Sequence, residues 1–144
     1  MKRIFCEIEK CLACRSCEWA CAGAHAVPRP RIHVEAIDEK GSLHRVRAIA
    51  IQCRYCEDPA CAAACISGGI RKDEETGDIV IRIEKCVGCW SCIMVCPVGA
   101  IKKNEDRHVA LKCDRCPDLE IPACITACPT GALVLDEPAV MEKG

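Results

Sequence analysis

Large side chains are scarce in this sequence, whose 144 residues include one phenylalanine, one tyrosine and two tryptophans. A domain of this length that relies on hydrophobic burial needs many more. Something other than a conventional core must therefore hold the chain together. The sequence also lacks any run of about 18 apolar residues, so we expect no membrane span.

Signals of several functional classes are missing as well. The N-terminal residues MKRIFCEIEKC contain neither the apolar stretch of a secretory signal nor a twin arginine, so we expect a cytoplasmic protein. A net charge of −1 gives no sign of nucleic-acid binding. No dinucleotide fingerprint, P-loop or nucleophile with a base in a motif occurs, which favours a chain that is not itself an enzyme.

Cysteine is what the sequence has in excess, with 17 residues. Cys6 stands alone, and the other sixteen form four tetrads. In chain order the tetrads are Cys11, Cys14, Cys17 and Cys21; Cys53, Cys56, Cys61 and Cys65; Cys86, Cys89, Cys92 and Cys96; and Cys113, Cys116, Cys124 and Cys128.

The spacing within the tetrads indicates what they bind. The first and third read C-x2-C-x2-C-x3-C, and Pro97 follows the third, as in bacterial [4Fe–4S] sites, where the fourth cysteine binds the neighbouring cluster. Structural zinc sites instead separate two knuckles by a dozen or more residues, and disulfides need an oxidising compartment. The spacing favours iron–sulfur clusters, and a structural zinc-knuckle adaptor is the remote alternative.

The chain also repeats itself. The first tetrad matches the third with one constant offset, which aligns Cys11 with Cys86. The second tetrad matches the fourth, which differs by a slightly longer loop before Cys124. A unit of two tetrads has therefore been used twice, which predicts four clusters.

The stretches around the tetrads predict short elements. Alternating apolar residues predict strands near 32–36, 46–51, 79–83, 101, 109–111 and 132–135, with turns at 38–41 and 104–107. Short helices are predicted at 61–66, 92–98 and 124–129. This pattern predicts an α+β, ferredoxin-like fold.

On these cysteines and on the opening stretch KRIFCEIEKCLACRSCEWACAGAH, the sequence resembles the four-cluster polyferredoxin electron-transfer subunits of redox enzymes. The likeness covers residues 4–135. Such subunits serve dimethyl sulfoxide reductases, formate dehydrogenases, hydrogenases, aldehyde oxidoreductases and carbon monoxide dehydrogenases. The opening stretch is most similar to the iron–sulfur subunit of nickel carbon monoxide dehydrogenase.

The resemblance implies how the cysteines share four [4Fe–4S] clusters, because the family pairs its first tetrad with its fourth and its second with its third. We name the implied ligand groups set A (Cys11, Cys14, Cys17 and Cys128), set B (Cys113, Cys116, Cys124 and Cys21), set C (Cys53, Cys56, Cys61 and Cys96) and set D (Cys86, Cys89, Cys92 and Cys65). The single unit 1–144 then comprises tandem ferredoxin-like modules. The inner module spans about 46–112, and the outer module spans about 1–45 plus 113–144.

The resemblance also implies partners. We expect an electron-transfer subunit between a catalytic oxidoreductase, with carbon monoxide dehydrogenase favoured, and a second redox protein such as a flavoprotein or hydrogenase. A hydrogenase, formate dehydrogenase or aldehyde oxidoreductase complex is the alternative. Cys6 is expected to be a buried small hydrophobe, with a redox-active thiol or a further ligand as the alternative. We expect Trp19 and Trp90 to pack over clusters, with contact to a partner as the alternative.

Overall fold

The computed structural model describes residues 2–37 and 47–136, and within them the fold mixes short α and β elements. The α-helices are α1 (Ser16–His25), α2 (Ala60–Ala63), α3 (Ser91–Val95) and α4 (Ala123–Thr126). The strands are β1 (Arg3–Cys6), β2 (His33–Ile37), β3 (Arg47–Ile51), β4 (Ile70–Lys72), β5 (Ile79–Ile81), β6 (Lys102–Asn104), β7 (Val109–Leu111) and β8 (Leu133–Asp136). Two 3-10 helices lie at Ile8–Lys10 and Ile83–Lys85. In the described part of the chain, no helix has the length and apolar character to cross a membrane.

The strands pair only two by two among these residues, always antiparallel. Three pairs are local: β2 with β3, β4 with β5, and β6 with β7. The fourth joins β1 to β8, so that Arg3 lies opposite Asp136 and Cys6 lies opposite Leu133. This long-range pair brings the region before the first tetrad against the region after the last one.

Most predicted elements are present, with shifted ends. The three predicted helices appear as α2, α3 and α4, each beginning one residue earlier and ending sooner than expected. Helix α1 lies outside the predicted helices, although it is the longest of the four. Strand β5 ends at Ile81 because the chain turns into a 3-10 helix before Cys86. The predicted turn at 38–41 and the strand residue Val46 lie outside the described residues.

The internal repeat is visible in the order of the elements. The starts of α1 and α3 differ by the same offset that aligns Cys11 with Cys86, and so do the two 3-10 helices. Helices α2 and α4 both begin one residue before the third cysteine of a tetrad, and Pro59 and Pro122 stand immediately before them. Proline suits a helix start because its missing N–H has no partner in the first turn.

Two small cores organise these elements. The outer core contains Ile4, Ile32, Val34, Ala48, Ala50 and Leu133 together with Cys17, Cys21, Cys113 and Cys124. The inner core contains Tyr55, Ile70, Ile79, Ile101 and Ala110 together with Cys92. Strand β3 packs in the outer core, although the expected boundary at about 46 assigns it to the inner module. The division into modules stays a prediction.

The cores are thin for a chain of this length. A fully buried aliphatic side chain contributes about 1.5–3 kcal/mol, whereas ordering the backbone costs about 1–2 kcal/mol for every residue. The few apolar side chains in each core leave most of that cost uncovered. Cysteine thiols fill much of the remaining interior, so what those thiols bind must contribute to stability.

One glycine is required by a close approach. Gly88 has φ +66°, and a Cβ placed there would lie 2.7 Å from the backbone oxygen of His108. His108 in turn stacks edge-on against Trp90, with 5.0 Å between the ring centroids. The turn between β6 and β7 therefore lies directly on the loop of the third tetrad.

We predict that Gly88→Ala lowers the thermal midpoint of the anaerobic protein more than Gly68→Ala does. Gly68 has the same φ of +66° but nothing within 4 Å of its Cβ position. Both variants carry the cost of a left-handed alanine, about 1–2 kcal/mol, and only Gly88→Ala adds a clash with backbone. Equal losses in a parallel thermal melt would contradict the close packing of His108 on this loop.

Candidate iron–sulfur sites

Two cavities are lined by cysteine side chains from distant parts of the chain. One contains the four members of set A, Cys11, Cys14, Cys17 and Cys128, together with Cys6. The other contains the four members of set D, Cys65, Cys86, Cys89 and Cys92. The two cavities are small and equal in volume, about 20 Å³ each. Similar linings and similar volumes suit the same kind of occupant.

The surroundings of Cys124 and Cys61 show which of the other cysteines lie close together. Burial raises the pKa of the Cys124 thiol, and the neighbouring Cys113, Cys21 and Cys116 raise it further. These four residues are the members of set B. Burial also raises the pKa of Cys61, with added contributions from Cys53 and Cys96. These three residues belong to set C.

Left-handed residues bend the cysteine loops. Ala13 and Arg15 have φ values of +58° and +61° in the loop of the first tetrad, and Gly88 and Trp90 have +66° and +63° at the equivalent positions of the third. Tyr55 and Arg115, within the second and fourth tetrads, are also left-handed. Backbone turns of this kind gather N–H groups on a concave side that favours negative charge.

The fourth cysteine of each tetrad accepts a backbone hydrogen bond at its sulfur. The N–H groups of Arg31, Ile70 and Ala100 donate to the Sγ atoms of Cys21, Cys65 and Cys96 over 3.2, 3.3 and 3.4 Å. The Leu133 N–H donates to Cys128. Ile70 and Leu133 each stand five positions after their cysteine, so the repeat extends to these contacts. Such N–H···S bonds stabilise thiolates and help set the reduction potential of an iron–sulfur cluster.

Burial determines the charge of the buried thiols when no metal is bound. It raises the pKa of Cys17 and of Cys92 to about 11 and that of Cys113 to about 12. Near neutral pH these side chains are therefore protonated unless a positive group compensates the thiolate. A metal centre supplies that compensation and deprotonates its thiol ligands. Linings that contain four set members, with N–H groups directed at the sulfurs, fit an iron–sulfur cluster.

Electrostatic effects between thiols of different sets indicate which sets are neighbours. Cys17 of set A raises the pKa of Cys124 in set B. Cys53 of set C does the same for Cys113 in set B. In the same way, Cys61 of set C acts on Cys92 in set D. The neighbours therefore follow the order A, B, C, D.

The most exposed cysteines lie at the two ends of this row. All 17 cysteines lie in the described residues, and Cys14 in set A and Cys89 in set D are the two that are exposed. Hydrogen bonding to the side chains of Ser16 and Ser91 is the main cause that lowers the pKa of these two thiols. The two serines occupy equivalent positions of the repeat, as do the two cysteines.

Residues 45–138 match the family model of a 4Fe–4S dicluster domain. The chain belongs to the 4Fe–4S dicluster family. The match supports iron–sulfur clusters in this chain, as the cysteine spacing predicts.

Relatives of this chain extend the likeness beyond the matched domain. An iron–sulfur protein of Rhodospirillum rubrum is 38% identical over 154 residues, covering 90% of this chain and 79% of that protein. The electron transport protein HydN of Escherichia coli is 33% identical over 160 residues, covering 97% and 90%. A subunit of the anaerobic dimethyl sulfoxide reductase of Escherichia coli is 33% identical over 145 residues, covering 90% and 70%.

These relatives confirm the prediction of a non-catalytic electron-transfer protein in the polyferredoxin family. Their names support a place in an oxidoreductase complex in general, and none of the three names carbon monoxide dehydrogenase. Among solved structures, one from the active site complex BamBC of benzoyl coenzyme A reductase aligns with this chain at 24% identity and a TM-score of 0.49. The alignment covers 100% of this chain and 86% of the other.

The structure adds a polar network beside set B that the spacing of cysteines could not reveal. Asp114 accepts hydrogen bonds from His25 Nε2 over 2.9 Å and from the Cys116 N–H over 3.0 Å, and it pairs with Arg31. Burial opposes ionisation of Asp114, but these partners hold its pKa below the ordinary value. The network joins α1, which carries Cys21, to the loop that carries Cys116. Its side chains come from distant parts of the sequence, so no local motif signals it.

Three residues singled out in the sequence have different outcomes. Cys6 is half-buried, lines the set A cavity and accepts a hydrogen bond from the Ala50 N–H over 3.4 Å, and its role stays a prediction. Trp90 lines the set D cavity, as expected. Trp19 is 79% exposed, so the expectation that it packs over a cluster is wrong. Its position on α1 turns it towards solvent.

We predict that Cys14→Ala lowers the iron content of protein prepared without oxygen, because a cluster in set A would lose one of four thiolates. Cys6→Ala is the matched control, since Cys6 lines the same cavity but belongs to no set. It should retain the iron content and the electron paramagnetic resonance (EPR) spectrum of the wild type. Equal iron loss in the two variants would show that Cys6 is a ligand.

Proposed function

We propose that this chain is the electron-transfer subunit of an oxidoreductase complex and holds four [4Fe–4S] clusters in sets A to D. The observation that carries the proposal is the row of four-cysteine sites, in which the two exposed cysteines, Cys14 and Cys89, lie in the two end sets. Two separate cysteine-lined cavities at the ends of the row support it. Bound clusters of this kind supply one-electron redox chemistry.

The residues of the chain have three tasks in this role. The thiolates fix the positions of the clusters, with ligands from two tetrads in each set. The N–H groups directed at Cys21, Cys65 and Cys96 stabilise negative charge on the sulfurs. The small cores, which include cysteines of all four sets, exclude water, and this influences reduction potential.

We propose tandem modules, an inner one at about 46–112 and an outer one at about 1–45 plus 113–144. The contacts between α1 and α4 and between α2 and α3 support this division. Each helix pair brings together two tetrads that the resemblance also pairs. In this arrangement β3 belongs to the inner segment of sequence but completes the outer core.

The two exposed ends are the places where partners would exchange electrons. Leu12 and Trp19 are exposed near set A, and Val87 and Met94 are exposed at the equivalent positions near set D. Exposed apolar residues around a redox site favour protein contacts. We propose a catalytic oxidoreductase subunit at one end and a second redox protein, such as a flavoprotein or hydrogenase, at the other.

The identity of the catalytic partner is a separate proposal. The relatives support a hydrogenase, formate dehydrogenase or dimethyl sulfoxide reductase system better than the carbon monoxide dehydrogenase favoured by the opening stretch. We also propose a cytoplasmic location, since free thiols persist in a reducing compartment.

We predict about 16 iron and about 16 sulfide per chain in protein purified without oxygen, as four cubane clusters require. Elemental analysis and acid-labile sulfide measurement test this directly. About eight of each would remove two clusters from the proposal. About four zinc ions without sulfide would replace it with the structural adaptor.

The partner is tested by affinity purification of the tagged chain from its native cells without oxygen, followed by identification of the co-purified subunits. We expect a large catalytic oxidoreductase subunit. Variants Leu12→Asp and Val87→Asp place a charge at the two ends separately, and each should release a different partner. Loss of the same partner from both variants would contradict docking at two ends.

A further inference from the structure

The junction between sets B and C is filled by one aromatic side chain. Tyr55 lies two residues after Cys53 of set C and is only 2% exposed. Its hydroxyl donates a hydrogen bond to the backbone oxygen of Cys113 in set B over 2.7 Å. Tyr55 therefore bridges the two middle sets.

Two cations lie over the Tyr55 ring, and they differ in how their charge is balanced. Arg115 has its Cζ 4.4 Å from the ring centroid, pairs with Asp78 and donates to the backbone oxygen of Lys2. Lys112 has its Nζ 4.2 Å from the centroid and donates to the backbone oxygen of Cys113 over 2.8 Å. Among the described residues, no carboxylate lies within salt-bridge distance of the Lys112 ammonium.

The missing carboxylate partner matters because Lys112 is buried, with only 6% of the residue exposed. A buried ammonium without a compensating anion is costly. The ring face and one carbonyl compensate part of that cost. The nearest groups that can become negative are the thiols on either side. Lys112 contacts the Cys113 carbonyl of set B and the Tyr55 ring, which lies two residues after Cys53 of set C, so its charge lies between both middle sets.

We propose that Lys112 is a shared tuning residue of the two middle clusters, held in place by Tyr55, and that its charge raises both of their reduction potentials. A nearby positive charge stabilises the reduced cluster, which carries one more negative charge than the oxidised one. The low dielectric of a buried junction strengthens this effect. Sets A and D lie further along the row and should be affected less. The inference rests on the proposed function, because it requires clusters in sets B and C.

The test is a redox titration of the anaerobic holoprotein monitored by EPR, comparing wild type with Lys112→Gln. Glutamine removes the charge but can still donate to the Cys113 carbonyl. We expect two of the four midpoint potentials to become more negative and the other two to stay unchanged. Lys112→Arg, which retains the charge, should keep all four near their wild-type values.

Lys103→Met is the matched control, since Lys103 also lies over an aromatic ring, with its Nζ 5.0 Å from the Trp90 centroid, but at the exposed set D end. It should leave the two middle potentials unchanged. Unchanged potentials in Lys112→Gln with full iron content would overturn the inference, and so would an equal shift of all four.

Iron content separates this inference from the proposed function. If wild-type protein holds only about eight iron atoms, the four-cluster proposal fails, and the shared tuning role fails with it. If Lys112→Gln alone loses iron, the comparison is made with Tyr55→Leu, which keeps the lysine but removes the ring surface that positions it. We then expect a smaller negative shift of the same two potentials, and no shift would overturn the inference.

Discussion

The constraint on which this structure depends is that thiols from opposite ends of the chain must meet at common sites. Cys128 lines a cavity with the first tetrad, and Cys65 lines a cavity with the third. The β1–β8 pair and the contacts between α1 and α4 follow from that meeting, because they bring the first and last tetrads together. Very short helices are enough for α2, α3 and α4, since each only has to turn a cysteine inwards. The hairpins between them cover the sites.

This constraint also explains an interior that is poor in large apolar groups but contains charge. Buried thiolates and the Lys112 ammonium would each be unfavourable in an ordinary core. Around thiolate-bound metal, the same groups compensate one another. Hydrogen bonds and charges near the sulfurs are also what adjusts cluster potentials, so the residues that stabilise the fold and those that tune electron transfer are largely the same. Cys14 and Cys89, one in each end set, are the exposed cysteines, which is why we propose partners at both ends.

Much of this is predictable from the sequence because ligand spacing is a local property. The four tetrads, the repeat and the positions of most short strands are readable without a structure. Helix α1 is not, because Ala-Cys-Ala-Gly-Ala-His has no apolar periodicity that marks a helix. The roles of Tyr55, Lys112 and Asp114 cannot be read at all, since each depends on burial or on contacts with residues far along the chain. The expectation for Trp19 fails because its position inside a tetrad says nothing about the side of the helix on which it lies.

The most direct test of the account is removal of iron from the oxygen-free protein with a chelator, followed at once by visible absorption and far-ultraviolet circular dichroism. If clusters organise the chain, the broad visible absorption and the secondary-structure signal should disappear together, because metal binding and folding are coupled. A chain that keeps its secondary structure after its iron is gone would contradict the account, as would a colourless protein before chelation.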